Sequence, residues 1–264
     1  MKNYERLGMT LALACLMCGL SAGTAHADDN HDACKDLPSH SALQSALDAA
    51  QAFSGGNGGF GLNMWATVVN RDGIVCEVAF TGGNRGDQWP GSRVISAQKA
   101  NTANAFSLPA LALSTANLFT AVQPGGSLFG LQESNPVDTH VAYGGDPTQY
   151  GQANDPMVGG RIGGVNVFGG GLALYNSSGT LVGGIGVSGD SSCADHNIAW
   201  RTRNNLSLDY VPGGVSGDTK RPDNIVYDIV PQPGQMPGVS KSGWSHAVCS
   251  TAATTIAAGL PPVR

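Results

Sequence analysis

Charged side chains are scarce in this sequence, and its basic residues form no cluster. Asp, Glu, Lys and Arg make up 12% of the 264 residues, about half of the roughly 25% that is usual for globular proteins. The formal net charge at pH 7 is −5. Because binding to nucleic acid or to an anionic membrane surface requires a basic patch, we expect neither kind of partner.

Long apolar runs are also absent, apart from one near the N-terminus that is too short to span a bilayer. It occupies residues 7–20, follows two basic residues, and precedes a small-x-small sequence at residues 25–27. This order is typical of a secretory signal peptide. We therefore expect cleavage after Ala27 and a mature chain, residues 28–264, that is periplasmic or secreted and has no membrane anchor.

Common cofactor motifs are missing or out of context. The sequence contains no C-x-x-C-H, which excludes covalent c-type attachment of haem. Its mature histidines never lie three or four residues apart, so we expect no structural zinc site. Residues 184–189 do spell G-x-G-x-x-G, with Asp209 about twenty residues further on. The neighbouring strands are joined by tight turns rather than in a βαβ unit, so these glycines predict close backbone packing and no NAD site.

Four cysteines follow the predicted cleavage site, namely Cys34, Cys76, Cys193 and Cys249. An even number in an oxidising compartment indicates two disulfides, for which three pairings are open. We favour Cys34 with Cys249, which would hold the C-terminal tail, and Cys76 with Cys193.

Hydrophobic periodicity and turn residues predict one α+β domain, in which helices flank an antiparallel sheet of about five strands. The predicted helices cover residues 38–53, 92–106, 111–122 and 191–204, and the predicted strands cover residues 63–70, 74–80, 165–168, 172–175 and 181–187, with a weaker one at 225–230. Residues 107–160 form a loop-rich insert, and residues 211–264 form an irregular tail. Because long loops are rarely neutral in compact domains, we expect the insert to bind a ligand, cover a site or contact another subunit.

A Cys–His pair offers one catalytic alternative. Cys193 lies at the start of a predicted helix, where the helix dipole lowers the pKa of a thiol, and His196 follows three residues later on the same face. Such a pair would suit nucleophilic catalysis. The competing interpretation, which we favour, is that Cys193 forms a disulfide.

Two segments resemble the GlcG/HbpS-like family. Residues 92–103, SRVISAQKANTA, resemble its helix pattern S…A..KA.TA, and residues 169–172 and 181–190, GGGL and LVGGIGVSGD, resemble its GG.P……G..vGaiGVSG block. Asp195 also matches the family, whereas Leu172 replaces its usual proline. The resemblance implies a profilin-like α-β-α sandwich, a homo-oligomer, and binding of haem or a corrinoid, and some members are described as haem-degrading. Our leading hypothesis is an exported protein that binds haem or a corrinoid with little or no catalysis.

The resemblance also suggests residues that would contact a haem. Lys99 would meet a propionate and Thr102 would face the iron or its water, while Arg93 and Arg161 would recognise carboxylates. His140 and His196 are the candidate axial ligands. Each also has an ordinary structural interpretation, such as a helix threonine bonded to its own turn. Trp65, Trp89 and Phe168 would line an apolar pocket or belong to the core. A third hypothesis is an assembly protein whose insert makes subunit contacts without any small ligand.

Overall fold

A four-stranded antiparallel sheet forms the centre of residues 33–264, the part of the chain that the computed structural model describes. The signal peptide predicted for residues 1–27 lies outside that part. The strands are β1 (Trp65–Asn70), β2 (Val75–Phe80), β3 (Gly171–Tyr175) and β4 (Leu181–Ser188), in the order β2-β1-β4-β3. All three neighbouring pairs are antiparallel. The predicted sheet type is confirmed, with four strands rather than about five.

Helices cover both faces of the sheet, which makes the α-β-α sandwich that the family resemblance implied. They are α1 (His40–Gln51), α2 (Ser92–Phe106), α3 (Leu131–Ser134), α4 (Thr139–Tyr143), α5 (Ser192–Asn205) and α6 (Thr251–Ala258). Successive strand residues face opposite sides, so Trp65 and Val69 pack with Val94 of α2 while Ala66 packs with Leu43 of α1. Among the helices of residues 33–264, none has both the length and the hydrophobicity that crossing a bilayer requires.

The glycines of β4 allow α2 to lie unusually close to the sheet. A Cβ atom at Gly186 would overlap the carbonyl oxygen of Ser96 and the amide nitrogen of Ala100, and one at Gly184 would meet the Ala100 carbonyl oxygen. These positions therefore admit only glycine without movement of the helix backbone. The expectation that the G-x-G-x-x-G sequence serves packing is confirmed, since β4 is antiparallel to both of its neighbours.

Two predicted elements are wrong. Residues 165–168 do not form a strand, because the amide of Asn166 donates to the Thr102 hydroxyl and the amide of Phe168 donates to the side chain of Asn166. The helix predicted at residues 111–122 is replaced by two 3-10 turns, Thr115–Leu118 and Thr120–Val122. Here a capping box between Ser114 and Asn117 starts a tight turn that does not extend into an α-helix.

The insert and the tail contain more regular structure than predicted. The insert includes α3, α4 and a 3-10 turn at Pro147–Gln149. The tail forms a hairpin of β5 (Ile229–Gln232) and β6 (Gln235–Ser240), close to the weak strand predicted at 225–230, and then α6, which was not predicted. Helix α6 buries Ala253 and Ala257 against the same core as α1 and α5.

Residues 33–264 contain two disulfides, as expected, but the favoured pairing is wrong. Cys34 is bonded to Cys76 and Cys193 to Cys249. Cys34 lies shortly before α1, which packs beside β2, the strand that carries Cys76. Cys249 lies immediately before α6, which packs against α5, where Cys193 is the second residue. Each disulfide therefore joins two cysteines that the packing of a helix brings close together.

Candidate functional site

Lys99, the residue expected to meet a propionate, is buried in an ion pair. Its side chain is 1% exposed, and its Nζ lies 2.7 Å from Asp195 Oδ2 and 3.0 Å from the carbonyl oxygen of Val187. Burial lowers the pKa of Lys99, and burial raises the pKa of Asp195 to about 6, although Lys99 opposes that rise. The pair joins α2, the end of β4 and α5, so the two family-like segments pack together around it.

Arg93 and Thr102 are likewise engaged inside the protein. The Arg93 guanidinium binds both carboxylate oxygens of Asp155, donates to the Ala142 carbonyl at 2.8 Å, and lies 3.7 Å from the centre of the Tyr150 ring. It thereby fixes the insert to the first turn of α2. The Thr102 hydroxyl donates to the Gln98 carbonyl at 2.7 Å and accepts the Asn166 amide at 3.0 Å.

The residues of the proposed Cys–His enzyme do not form a nucleophilic pair. Cys193 is in a disulfide, so this alternative is wrong for the oxidised protein. His196 is fully buried, its Nε2 lies 3.1 Å from Asn224 Oδ1, and burial lowers its pKa to about 4. Its Nδ1 has no hydrogen-bond partner within residues 33–264. His196 is therefore a neutral core histidine.

The last two predicted ligands are exposed and lie apart from this core. His140 sits in the first turn of α4, where its amide donates to Asp138 Oδ1, and Arg161 Nε donates to the Asp72 carbonyl at 3.2 Å. The six residues suggested by the family resemblance thus do not line one common cavity, and only Arg93 faces one.

That cavity, which we call the aromatic pocket, lies between α2 and the insert. It has a volume of about 250 Å³ and is lined by Trp65, Arg85, Pro90, Gly91, Arg93, Val94, Tyr143 and Tyr150. Trp65 begins β1 and packs against Phe80 with ring centroids 5.1 Å apart. The tyrosines come from the end of α4 and the loop that Arg93 holds in place. Trp89, directly before Pro90, is 53% exposed.

Two groups in the aromatic pocket are available to a ligand. Arg85 is exposed and makes no ion pair with any residue of the described range, whereas the charge of Arg93 is satisfied by Asp155. Tyr143 is 63% exposed. In addition, the indole N–H of Trp65 is buried and finds no acceptor among residues 33–264. Sequence reasoning suggested Trp65 but missed Arg85, Tyr143 and Tyr150, because single residues in loops or at the end of a short helix carry no recognisable spacing.

Larger surface grooves offer less chemistry. Grooves of about 600 and 460 Å³ lie around residues 34–38, and neither has an aromatic side chain or a histidine among its lining residues.

The aromatic pocket is smaller than most ligand sites, which span roughly 300–1,000 Å³, so only one edge of a macrocycle would enter it. Its apolar walls suit a planar ring, an arginine suits a carboxylate, and a tyrosine oxygen is one of the protein ligands of haem iron. The residues present therefore fit a tetrapyrrole edge.

Comparison with known proteins agrees with the sequence motifs. The family model described as haem degrading protein HbpS-like matches residues 39–203. Three solved structures are similar to the chain. The PduOC:heme complex is 23% identical in sequence, and the aligned region covers 66% of this chain and 98% of the PduOC chain, with a TM-score of 0.45. The Klebsiella pneumoniae protein ORFY is 22% identical, covering 64% and 90%, with a TM-score of 0.42. HbpS is 18% identical, covering 63% and 86%, with a TM-score of 0.39.

No curated protein matches the chain. The matched residues 39–203 include both family-like segments and the loop-rich insert, and the tail lies beyond them. Since the match covers well over half of the sequence, the chain belongs to the HbpS-like family.

Proposed function

We propose that this protein is exported and binds haem at the aromatic pocket, with little or no catalysis. The observation that carries the haem-binding part of the proposal is the match of residues 39–203 to a family described as haem degrading. The pocket supports it, because its walls are mainly apolar and its charged and phenolic groups lie at one site. Export is supported by the two disulfides, which are typical of proteins in oxidising compartments.

Each pocket residue has a defined role in this proposal. Trp65 and Val94 would contact the ring of a bound haem, and Arg85 would bind a propionate through its guanidinium. Tyr143 would offer a phenol oxygen to the iron. Arg93 does not contact the ligand charge, because Asp155 already binds it, and instead positions Tyr150. Bound haem would supply an iron centre for ligand or redox chemistry.

Haemin titration of the protein lacking residues 1–27 tests the proposal. We expect a shifted Soret band that saturates at one haem per chain. Arg85→Gln removes a charge-assisted contact worth about 1.5–3 kcal/mol, so affinity should fall about 10-fold or more. Tyr143→Phe should change the Soret position. Lys241→Gln and Tyr210→Phe, which lie outside the pocket, are the matched controls.

The outcomes separate the competing functions. No Soret change at micromolar haemin in the folded protein would contradict haem binding, and cobalamin in a parallel titration identifies a corrinoid site instead. Loss of the Soret band after addition of a reductant in air would indicate haem breakdown, which the family description names.

We further propose that the protein forms a homo-oligomer. Light scattering before and after removal of residues 107–160 would show whether the insert controls assembly, as an assembly protein requires.

A further inference from the structure

The disulfide between Cys193 and Cys249 lies beside a buried histidine. The two Sγ atoms and a ring nitrogen of His246 all lie within 4.8 Å of one another, and Cys193 Sγ is 4.0 Å from His246 Nδ1. Cys193 comes from the start of α5, whereas His246 and Cys249 come from the segment before α6. The last two belong to the tail, outside the residues matched by the family.

We propose that Cys193, Cys249 and His246 bind a thiophilic divalent cation such as Zn²⁺ when this disulfide is reduced. Zinc takes tetrahedral sulfur and nitrogen ligands at about 2.3 Å and about 2.0 Å, which separates two bound sulfurs by roughly 3.8 Å. The three ligand atoms lie within 4.8 Å of one another, so after the S–S bond is broken small side-chain movements bring them to the separations that one ion requires. Three protein ligands leave the fourth position for water.

The redox step requires a two-electron reductant such as a dithiol or a phosphine, and the cluster is open to one. Cys249 is exposed, whereas Cys193 is buried. A dithiol transfers two electrons and two protons to the S–S bond and is itself oxidised to a disulfide, which leaves two cysteine thiols. Each thiol then releases its proton to solvent as its sulfur binds the cation. Metal binding therefore occurs only in the reduced protein and releases two protons per ion.

The start of α5 favours the thiolate forms that metal binding needs. The amide of Cys193 donates to Cys249 Sγ at 3.2 Å, and Cys193 is itself the second residue of this 14-residue helix. Amide donors and the positive end of a helix dipole stabilise thiolates. The site therefore lowers the cost of deprotonating both thiols as the cation binds.

His246 can reach the tautomer that metal binding requires. In the disulfide form Nδ1 lies 2.6 Å from the carbonyl oxygen of Ala247 and donates its proton to it, while Nε2 lies 2.8 Å from Ser192 Oγ. Ligation through Nδ1 requires the ring to turn away from the Ala247 carbonyl, and the ring proton then lies on Nε2, which donates a hydrogen bond to the Ser192 hydroxyl. Ligand histidines commonly donate their second ring N–H to such an outer partner.

Spacing along the chain did not indicate this cluster, because His246 lies 53 residues after Cys193. The chain offers a matched control in its other disulfide. Within residues 33–264, Cys34 and Cys76 do not belong to any group of three candidate metal ligands. Reduction of that pair alone should not create a metal site.

Metal binding by the purified protein, reduced with a phosphine, tests the proposal. Zn²⁺ affinity is measured by competition with a chromophoric chelator, and Co²⁺ is used to detect thiolate charge-transfer absorption. We expect one Zn²⁺ per chain in the reduced wild type and in Cys34→Ala/Cys76→Ala, and none in the oxidised protein. Cys193→Ala/Cys249→Ala should bind none. Ser192→Ala should lower affinity about 10-fold, as loss of an outer hydrogen bond does, and His246→Ala should lower it further.

The controls keep the result decisive. Near-UV circular dichroism confirms that each reduced variant is folded, and native mass spectrometry of reduced wild type counts bound zinc without any substitution. The proposal is overturned if folded, reduced wild type binds Zn²⁺ no more tightly than Cys193→Ala/Cys249→Ala. It is equally overturned if His246→Ala binds as tightly as wild type. Neither result bears on haem binding, which uses different residues.

Discussion

A buried ion pair between Lys99 and Asp195 joins residues that are 96 positions apart in the chain. The Lys99→Met substitution would leave the Asp195 carboxylate buried without its partner. Because breaking a buried pair is strongly unfavourable, we expect the free energy of unfolding to fall by about 3–5 kcal/mol. Urea denaturation measures the change. Lys241→Met, at an exposed position, should change stability by less than about 0.5 kcal/mol.

A double substitution distinguishes loss of the pair from loss of packing. Lys99→Met combined with Asp195→Asn removes both charges, so the double variant should recover part of the stability that the single variant loses. A single-variant loss below about 1 kcal/mol would contradict the idea that this pair holds α2 to α5.

Burial of His196 makes stability depend on pH. Its pKa falls from 6.5 in the unfolded chain to about 4 in the folded protein, mainly because of burial. The free energy of unfolding is therefore highest above pH 6.5, where His196 is neutral in both states. It falls as the pH falls from 6.5 towards 4, because the unfolded state takes up the proton first. This loss amounts to about 3 kcal/mol. His196→Gln should reduce the dependence measured by urea denaturation, and part of it should remain because burial also lowers the pKa of His246 to about 4.

An exposed histidine provides the comparison for this pH effect. His140→Gln should leave the dependence of unfolding free energy on pH unchanged, because His140 is exposed. If His196→Gln shows the same slope as wild type between pH 4 and 6.5, the neutral core histidine is not the cause.

These residues show what sequence reasoning could not supply at the residue scale. The motifs correctly marked Lys99 and Asp195 as members of the family-like segments, but spacing does not show that they bind each other. Likewise, Arg93 was expected to bind a ligand carboxylate and instead binds Asp155, 62 residues away. Partners that are distant in sequence meet only when the helices pack together. The sequence therefore identified these charged residues but not the residues that they bind.

At the scale of elements, the close contact between α2 and β4 depends on glycine. A methyl group at Gly186 would overlap backbone atoms of Ser96 and Ala100, which cannot rotate away. We expect Gly186→Ala to destabilise the protein by about 1–3 kcal/mol, the usual cost of overpacking. Thermal and urea unfolding measure it. Gly91→Ala is the matched control, because Gly91 has φ of −64° and open space around its Cβ position.

The two glycine substitutions should move stability in different directions. Gly91→Ala should be neutral or stabilising by up to about 1 kcal/mol, because alanine restricts the unfolded chain. Equal effects at both positions would mean that α2 can move away from the sheet at little cost, and the glycines of β4 would then need another explanation.

Elements with local signals were predicted well, and elements held by distant partners were not. The Asn70–Gly73 turn closes the β1–β2 hairpin through hydrogen bonds of its own, and α2 has the bounds that its sequence indicated. By contrast, residues 165–168 bond to side chains of α2 and of their own loop instead of to a strand. Helix α6 is short and rich in alanine and threonine, so its sequence shows no clear pattern of apolar residues at helical spacing.

At the scale of the whole molecule, the insert and the tail are held to the family sandwich by contacts whose partner residues lie outside the two family-like segments. The insert is fixed by the Arg93–Asp155 pair, and the tail by the Cys193–Cys249 disulfide. The tail is further bound where the Trp200 indole donates to the Pro261 carbonyl at 2.9 Å. The sandwich could therefore be predicted from the motifs, whereas the parts that build the aromatic pocket and the group of Cys193, His246 and Cys249 could not.

The Arg93–Asp155 pair lets the link between the insert and ligand binding be tested. Asp155 also accepts the amides of Gly151 and Met157, so Arg93→Gln leaves a buried carboxylate that only the insert itself can satisfy. We expect the sheet and helices to remain folded while the insert opens, with protease cleavage within residues 107–160 at least 10-fold faster, as loss of a few kcal/mol of local stability implies. Haemin affinity should fall with it, because Tyr150 packs on Arg93.

Limited proteolysis with mass spectrometry measures the opening of the insert, and haemin titration measures the affinity. Arg161→Gln is the control, because Arg161 is exposed and donates to the Asp72 carbonyl. Unchanged cleavage in Arg93→Gln would show that the insert stays docked without this ion pair; increased cleavage with unchanged haemin affinity would place the haem elsewhere.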